Sequence, residues 1–180
     1  SGTECNLSGI SYGHGVWVAV GSEDLGFSLK SGWSGNGASA VILSSTDGIS
    51  WTARSSGTSH VLAGIGYGNG LWAAVGVGAP NADRALLTSS DRINWTTRER
   101  GSGTYSCIGY GDGRWAIGAW DSSFRQSRFV FHNLPMWGSV GLSPKLNHYL
   151  SSICYADGHW VAVGDSGTIL TSTDRIDWTR

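Results

Sequence analysis

Apolar residues along this chain fall into short bursts separated by glycine-rich turns, and the bursts repeat. The segments YGHGVWVAVG, YGNGLWAAVG, YGDGRWAIGA and YADGHWVAVG begin at Tyr12, Tyr67, Tyr110 and Tyr155, and each places a tryptophan (Trp17, Trp72, Trp115 or Trp160) five residues on. Short apolar runs bounded by turn residues predict strands rather than helices. Turns such as Gly13-His14-Gly15 and Asp157-Gly158 carry the glycine that a tight hairpin needs for positive φ. The run after each tryptophan is apolar on both faces, the mark of a strand buried between two layers. The last repeat shows the unit most cleanly, with strands expected over Leu150 to Tyr155, His159 to Gly164, Thr168 to Ser172 and Ile176 to Arg180.

A second tryptophan closes each repeat, at Trp51, Trp95, Trp137 and Trp178, with spacings of 44, 42 and 41 residues. Periods of this size belong to propeller blades, solenoid units or arrays. Composition selects among them: 28 Gly and 10 Trp in 180 residues, with 14% charged residues, leave no room for a helical solenoid. The expected fold is all-β, a small β-propeller of four four-stranded antiparallel blades in one domain over 1–180, with blades near 7–56, 62–100, 105–140 and 150–180. Repeat 1 opens with a first strand and repeat 4 finishes with a fourth, so no strand crosses over to close the ring. Closure is then expected from the arm Ser1 to Leu7 or from homo-oligomerisation, unless the chain is a piece of a longer array.

The turn before the second tryptophan has its own signature: Ser45-Thr46-Asp47-Gly48-Ile49-Ser50-Trp51, Ser89-Ser90-Asp91-Arg92-Ile93-Asn94-Trp95 and Ser172-Thr173-Asp174-Arg175-Ile176-Asp177-Trp178. These segments resemble the Asp-box (BNR-type) hairpin of sialidase-like propellers. The whole unit is also similar to the repeats of photosystem II assembly-factor propellers, over roughly residues 7 to 180. The Asp-to-Trp spacing of four is one shorter than the usual box, and the third copy, Phe131-His132-Asn133-Leu134-Pro135-Met136-Trp137, has lost both Ser and Asp. The box residues Asp47, Trp51, Asp91, Trp95, Asn133, Trp137, Asp174 and Trp178 are read as structural. Asp caps backbone N–H groups across the turn, Ser adds a local hydrogen bond and Trp packs the outer strand. The arginines that close the repeats, Arg54, Arg98 and Arg180, are read as structural or surface residues.

Where the repeats differ is where recognition is expected. The distance from the first to the second tryptophan is 34, 23, 22 and 18 residues in successive repeats, and the variation lies between strands 2 and 3. Alternating strand direction puts that loop on the face opposite the Tyr-Gly and Asp-box turns. Elaborated loops on a rigid scaffold carry binding sites. The candidate ligand-binding residues on that face are Trp33, Trp120, Asp121, Arg125, Asp83, Arg84, Glu23, Asp24, His60 and His148. Planar aromatics among short polar side chains suit the apolar face and hydroxyl rim of a sugar, or anchor a protein interface. Each of these residues has a plainer reading as a solvated or packing loop residue.

The sequence argues against several other classes. A sialidase-like activity needs an arginine cluster, a Tyr/Glu pair and an acid on six blades, whereas the glutamates here are Glu4, Glu23 and Glu99. Gly164-Asp165-Ser166-Gly167 looks like a serine-protease nucleophile segment but is read as turn chemistry, because no matching histidine segment exists. His14, His60, His132, His148 and His159 show no zinc spacing, so no metal and no cofactor are expected. A net charge of −1 and a pI near 6.5 argue against nucleic acid. No apolar run reaches 18 residues and no charged-then-apolar leader is present, so neither membrane insertion nor a signal peptide is read. Cys107 and Cys154 are expected as buried thiols, and a Cys5–Cys154 bridge is conceivable in a closed ring. Ten arginines against two lysines, amid many small polar residues, suggest an extracellular or particle-surface protein. The partners expected are a glycan or cell-surface receptor, or alternatively a protein docked on an assembly scaffold.

Overall fold

The computed structural model describes residues 5–23, 39–77, 84–99, 103–121, 126–133, 139–142 and 147–180. Blade 1 is β1 (Asn6–Gly13), β2 (Val16–Ser22), β3 (Ala40–Ser45) and β4 (Thr52–Arg54). Blade 2 is β5 (Val61–Gly68), β6 (Leu71–Val77), β7 (Arg84–Ser89) and β8 (Thr96–Glu99). Blade 3 is β9 (Thr104–Gly111), β10 (Arg114–Asp121), β11 (Gln126–His132) and β12 (Ser139–Leu142). Blade 4 is β13 (Leu150–Ala156), β14 (His159–Gly164) and β15 (Thr168–Ser172). Each sheet is an antiparallel meander in chain order, and the fold is an all-β propeller.

Blade 4 departs from the expected four strands. In place of a strand over Ile176 to Arg180 there is one bridge between Thr171 and Thr179, with paired N–H···O bonds of 2.9 Å. The amides of Ile176 and Asp177 donate to the Asp174 carboxylate as their counterparts do in blades 1 and 2, where the fourth strand begins only after the box tryptophan, at Thr52 and Thr96. Arg54 and Arg98 donate from Nε to Ser44 Oγ and Thr88 Oγ1 at 2.8 Å, which ties strand 4 to strand 3 in blades 1 and 2.

Two features curve the blades about one axis. Every first strand carries a bulge at the same place, leaving Ser8, Ala63, Ser106 and Ser151 without a register partner on the second strand. A bulge bends and twists its strand. All four bulge residues line one central cavity of 340 Å³. The first strands also pack on one another in the order β1, β5, β9, β13, whereas β1 and β13 have no comparable packing.

Three apolar cores lie between consecutive blades. Val18, Val20 and Ile42 of blade 1 meet Leu62, Trp72 and Leu87 of blade 2. Val75 and Leu86 meet Tyr105, Trp115 and Ile117 of blade 3. Phe129 and Phe131 meet Leu150, Trp160 and Leu170 of blade 4. This explains the doubly apolar second strands: one face packs on the preceding blade and the other on the following one. Each fully buried side chain of this kind contributes about 1.5–3 kcal/mol. At each joint the tyrosine of one blade covers a glycine of the preceding blade. A Cβ on Gly13, Gly68 or Gly111 would lie 2.1–2.2 Å from the ring of Tyr67, Tyr110 or Tyr155. That is the reason Tyr-Gly recurs in the sequence.

The cysteines correct the expectation for them. Cys5, Cys107 and Cys154 are free thiols, and only Cys107 is buried, its thiol pushed up to about 11 by desolvation. Cys5 packs on the outer face of blade 1 and Cys154 stands exposed on blade 4. The two open ends of the array keep them apart from a buried setting.

Candidate functional site

The two faces of the propeller are built differently. On the uniform face, His14-Gly15, Asn69-Gly70, Asp112-Gly113 and Asp157-Gly158 all have positive φ at both residues, the type I′ geometry that matches strand twist. The box turns sit on the same face. In blade 1, Asp47 Oδ1 accepts the amides of Ile49 and Ser50 at 2.8 and 2.7 Å and the Ser45 hydroxyl at 2.9 Å. These bonds, Ser50 first, hold the Asp47 carboxyl at about 2, below the ordinary 3.8. Asp91 and Asp174 are shifted the same way, chiefly by the amides of Asn94 and Asp177. Trp51, Trp95 and Trp178 each donate from Nε1 to a carbonyl of their own turn, at 3.2–3.3 Å. Arg175 reaches from its box turn to Asp112 of blade 3 at 2.6 Å, a bridge between blades. Asn133 of the degenerate third copy is exposed just beyond β11, and Trp137 lies outside the described residues.

The opposite face holds a pocket of 140 Å³ between blades 2 and 3, lined by Arg84, Gly103, Thr104, Ala119, Trp120, Asp121 and Arg128. Arg84 opens β7, and its guanidinium carbon stands 5.5 Å over the ring of Tyr105. Asp121 and Arg128 sit diagonally on the β10–β11 pair, where Ala119 faces Arg128 and Asp121 faces Gln126. Their side chains, 30% and 35% exposed, approach to 3.5 Å. Alternation along β10 turns Trp120 to the other side, where its ring lies 5.9 Å from that of Tyr149 in blade 4. Tyr149 is buried, and desolvation pushes its phenol well above the usual range. Among the described residues, two guanidiniums with one carboxylate give the pocket a local excess of positive charge on a near-neutral chain. Planar guanidinium forks suit carboxylate, sulfate or phosphate oxygens.

The structure thus gathers three of the sequence-derived candidates, Arg84, Trp120 and Asp121, around one pocket. Trp120 is half-buried and braced by Tyr149 rather than freely displayed. Glu23, His60 and His148 do not join it: Glu23 is exposed, with its amide bonded to the Ser39 carbonyl at 3.0 Å, and His60 contacts the Thr58 hydroxyl through Nδ1. His148 is half-buried beside Tyr149 in sequence. Asp24, Trp33, Asp83 and Arg125 lie outside the described residues. Arg128 and Thr104 were not among the candidates. A charged residue interrupting the apolar run of β11, QSRFVFH, was the available signal for Arg128. Gly164-Asp165-Ser166-Gly167 forms a short turn with Ser166 at φ 55°, as its reading as turn chemistry expects.

No family model matches the chain, and no curated protein matches it by sequence. Solved structures do match. A chain of a nidogen–laminin complex aligns with a TM-score of 0.65 at 11% identity over 92% of this chain and 59% of that one. YCF48 bound to D1 peptide gives 0.56 at 14% identity, over 98% and 52%. Trypanosoma rangeli sialidase gives 0.57 at 13%, over 97% and 38%. The chain therefore spans between about two fifths and three fifths of these structures. At such identities the likeness is one of fold, shared by enzymes and binding proteins.

Proposed function

We propose that this propeller is a non-catalytic recognition module that takes an acidic glycan of a cell-surface ligand at the pocket between blades 2 and 3. The observation that carries this reading is the convergence of the Arg84 and Arg128 guanidiniums with Asp121 on the elaborated face. A cavity of 140 Å³ fits a carboxylate or sulfate and the adjoining part of a ring, with the rest of the glycan lying across the surface. Glycoside hydrolysis ordinarily uses two carboxylates flanking the scissile bond. Among the described residues the pocket lining offers Asp121 alone as a carboxylate, already engaged with Arg128, which supports binding over cleavage.

A glycan array rich in sialylated, uronic and sulfated structures tests the reading. Binding of an acidic class should weaken at least about tenfold in Arg84→Ala and in Arg128→Ala, since a hydrogen bond to a charged group contributes about 1.5–3 kcal/mol. The melting temperature should move little for Arg128→Ala. An array on which acidic glycans bind the wild type and both variants equally would sink the proposal. A blank array would favour the second reading, a protein partner presenting an acidic side chain or carboxyl terminus to the same two arginines. That alternative is supported by the peptide held by YCF48, a propeller of the same fold.

A further inference from the structure

Blades 1 and 4 present two complementary faces that no described residue covers. In blades 2, 3 and 4 the front of the sheet packs on the blade before it, through Leu62, Tyr105 and Leu150 at one first-strand position and Ile65, Ile108 and Ile153 at another, all buried. Blade 1 carries the same residue types there, yet Leu7 is 48% and Ile10 57% exposed. Trp17 is 38% exposed, whereas Trp72, Trp115 and Trp160 are buried. The Tyr12–Trp17 pair is set as the internal pairs are: its ring centroids are 4.7 Å apart, matching Tyr67–Trp72 in distance and angle. A groove of 480 Å³ runs over this face beside Leu7, Ile10, Ala19 and Trp51.

At the other end, the back of blade 4 is the counterpart. Val163 and its register partner Ile169 occupy the places of Val20–Ile42 and Val75–Leu86, pairs that the following blade buries. In blade 4 they are 39% and 56% exposed. Among the described residues there is thus one spare front and one spare back, and β1 and β13 lack the packing that joins consecutive first strands.

We infer that the front of blade 1 in one copy docks on the back of blade 4 in a second copy, head to tail, continuing the blade-on-blade packing already present three times inside the chain. The contact is heterologous, so a ring of copies forms if the rotation closes. One residue makes it looser than the internal joints. Where Gly13, Gly68 and Gly111 receive the next tyrosine, blade 4 has Ala156, whose Cβ meets the incoming Tyr12 ring.

Light scattering and sedimentation across concentration test this. The wild type should self-associate, and Ile10→Lys and Ile169→Glu should each abolish association, with unchanged circular dichroism because both sites are on the surface. Mixing these two variants should restore a complex, since one wild-type front then meets one wild-type back. Ala156→Gly should associate at about tenfold lower concentration. A wild type monomeric up to about 1 mM, the weak end of specific affinity, overturns the proposal. Loss of association with only one of the two charge variants also overturns it, because that pattern belongs to a face-to-face dimer. So does an Ala156→Gly variant that associates no more tightly than the wild type.

Discussion

Two residue pairs repeated along the chain account for most of its local order. The tyrosine–glycine socket leaves no space for a side chain: at Gly68 a Cβ would stand 2.1 Å from Tyr110 Cγ. Gly68→Ala is therefore expected to lower stability by about 1–3 kcal/mol through overpacking, read from urea unfolding. Alanine at the matching exposed position is native, as Ala156 shows. The second pair is Ser with Asp in the box turns. Because the folded carboxyl of Asp47 titrates at about 2 rather than 3.8, the unfolded chain takes up the proton first as pH falls. Its contribution is complete above pH 3.8 and disappears as pH drops through about 2, and Asp91 and Asp174 act in the same direction. Unfolding followed between pH 5 and 2 should show Asp47→Asn less acid-sensitive than the wild type and less stable at neutral pH. The box pair was legible from sequence, since Ser and Asp stand two positions apart, whereas the socket was not, since its glycine and tyrosine belong to different blades.

At the level of strands and blades, local and non-local causes separate. Tight hairpins between first and second strands follow from glycine in the turn, while their type I′ geometry, with His14, Asn69, Asp112 and Asp157 also at positive φ, emerges only in the structure. The bulges at Ser8, Ala63, Ser106 and Ser151 were not expected either, because a bulge is a property of register between two strands and leaves no fixed residue type. In blade 4 the ladder to the fourth strand is reduced to the single Thr171–Thr179 bridge. Blade 4 is held instead by packing, with Trp178 stacked on Phe129 at 4.0 Å and 19°. Phe129→Ala should cost about 3–5 kcal/mol and expose the blade 3–4 joint, seen as faster amide exchange in β13 to β15. The pocket belongs to this scale as well. The sequence places Trp120, Asp121 and Arg84 in variable loops, whereas the structure puts them at strand ends, in β10 and at the start of β7. Arg128 became visible only once β10 and β11 were paired, because the Asp121–Arg128 contact is set by register.

For the molecule as a whole, the decisive fact is that blades pack in series and the series stays open. The all-β propeller and its repeated blades could be read from period, glycine content and the doubly apolar second strands, because one blade's pattern already demands a neighbour on each side. Openness could not be read in the same way. Whether β1 meets β13 depends on the angle accumulated over three blade joints, and no stretch of sequence encodes a sum of small rotations. The same distinction applies to surface and core. Leu7, Ile10, Tyr12 and Trp17 have the residue types of a buried face, and only the arrangement of the blades leaves them exposed. Likewise the pattern pointed to a variable face, while the meeting of Arg84, Asp121 and Arg128 was decided by how blade 2 abuts blade 3. Local spacing determines the blade; the geometry between blades determines the pocket and the free ends, because both arise from residues far apart in the chain.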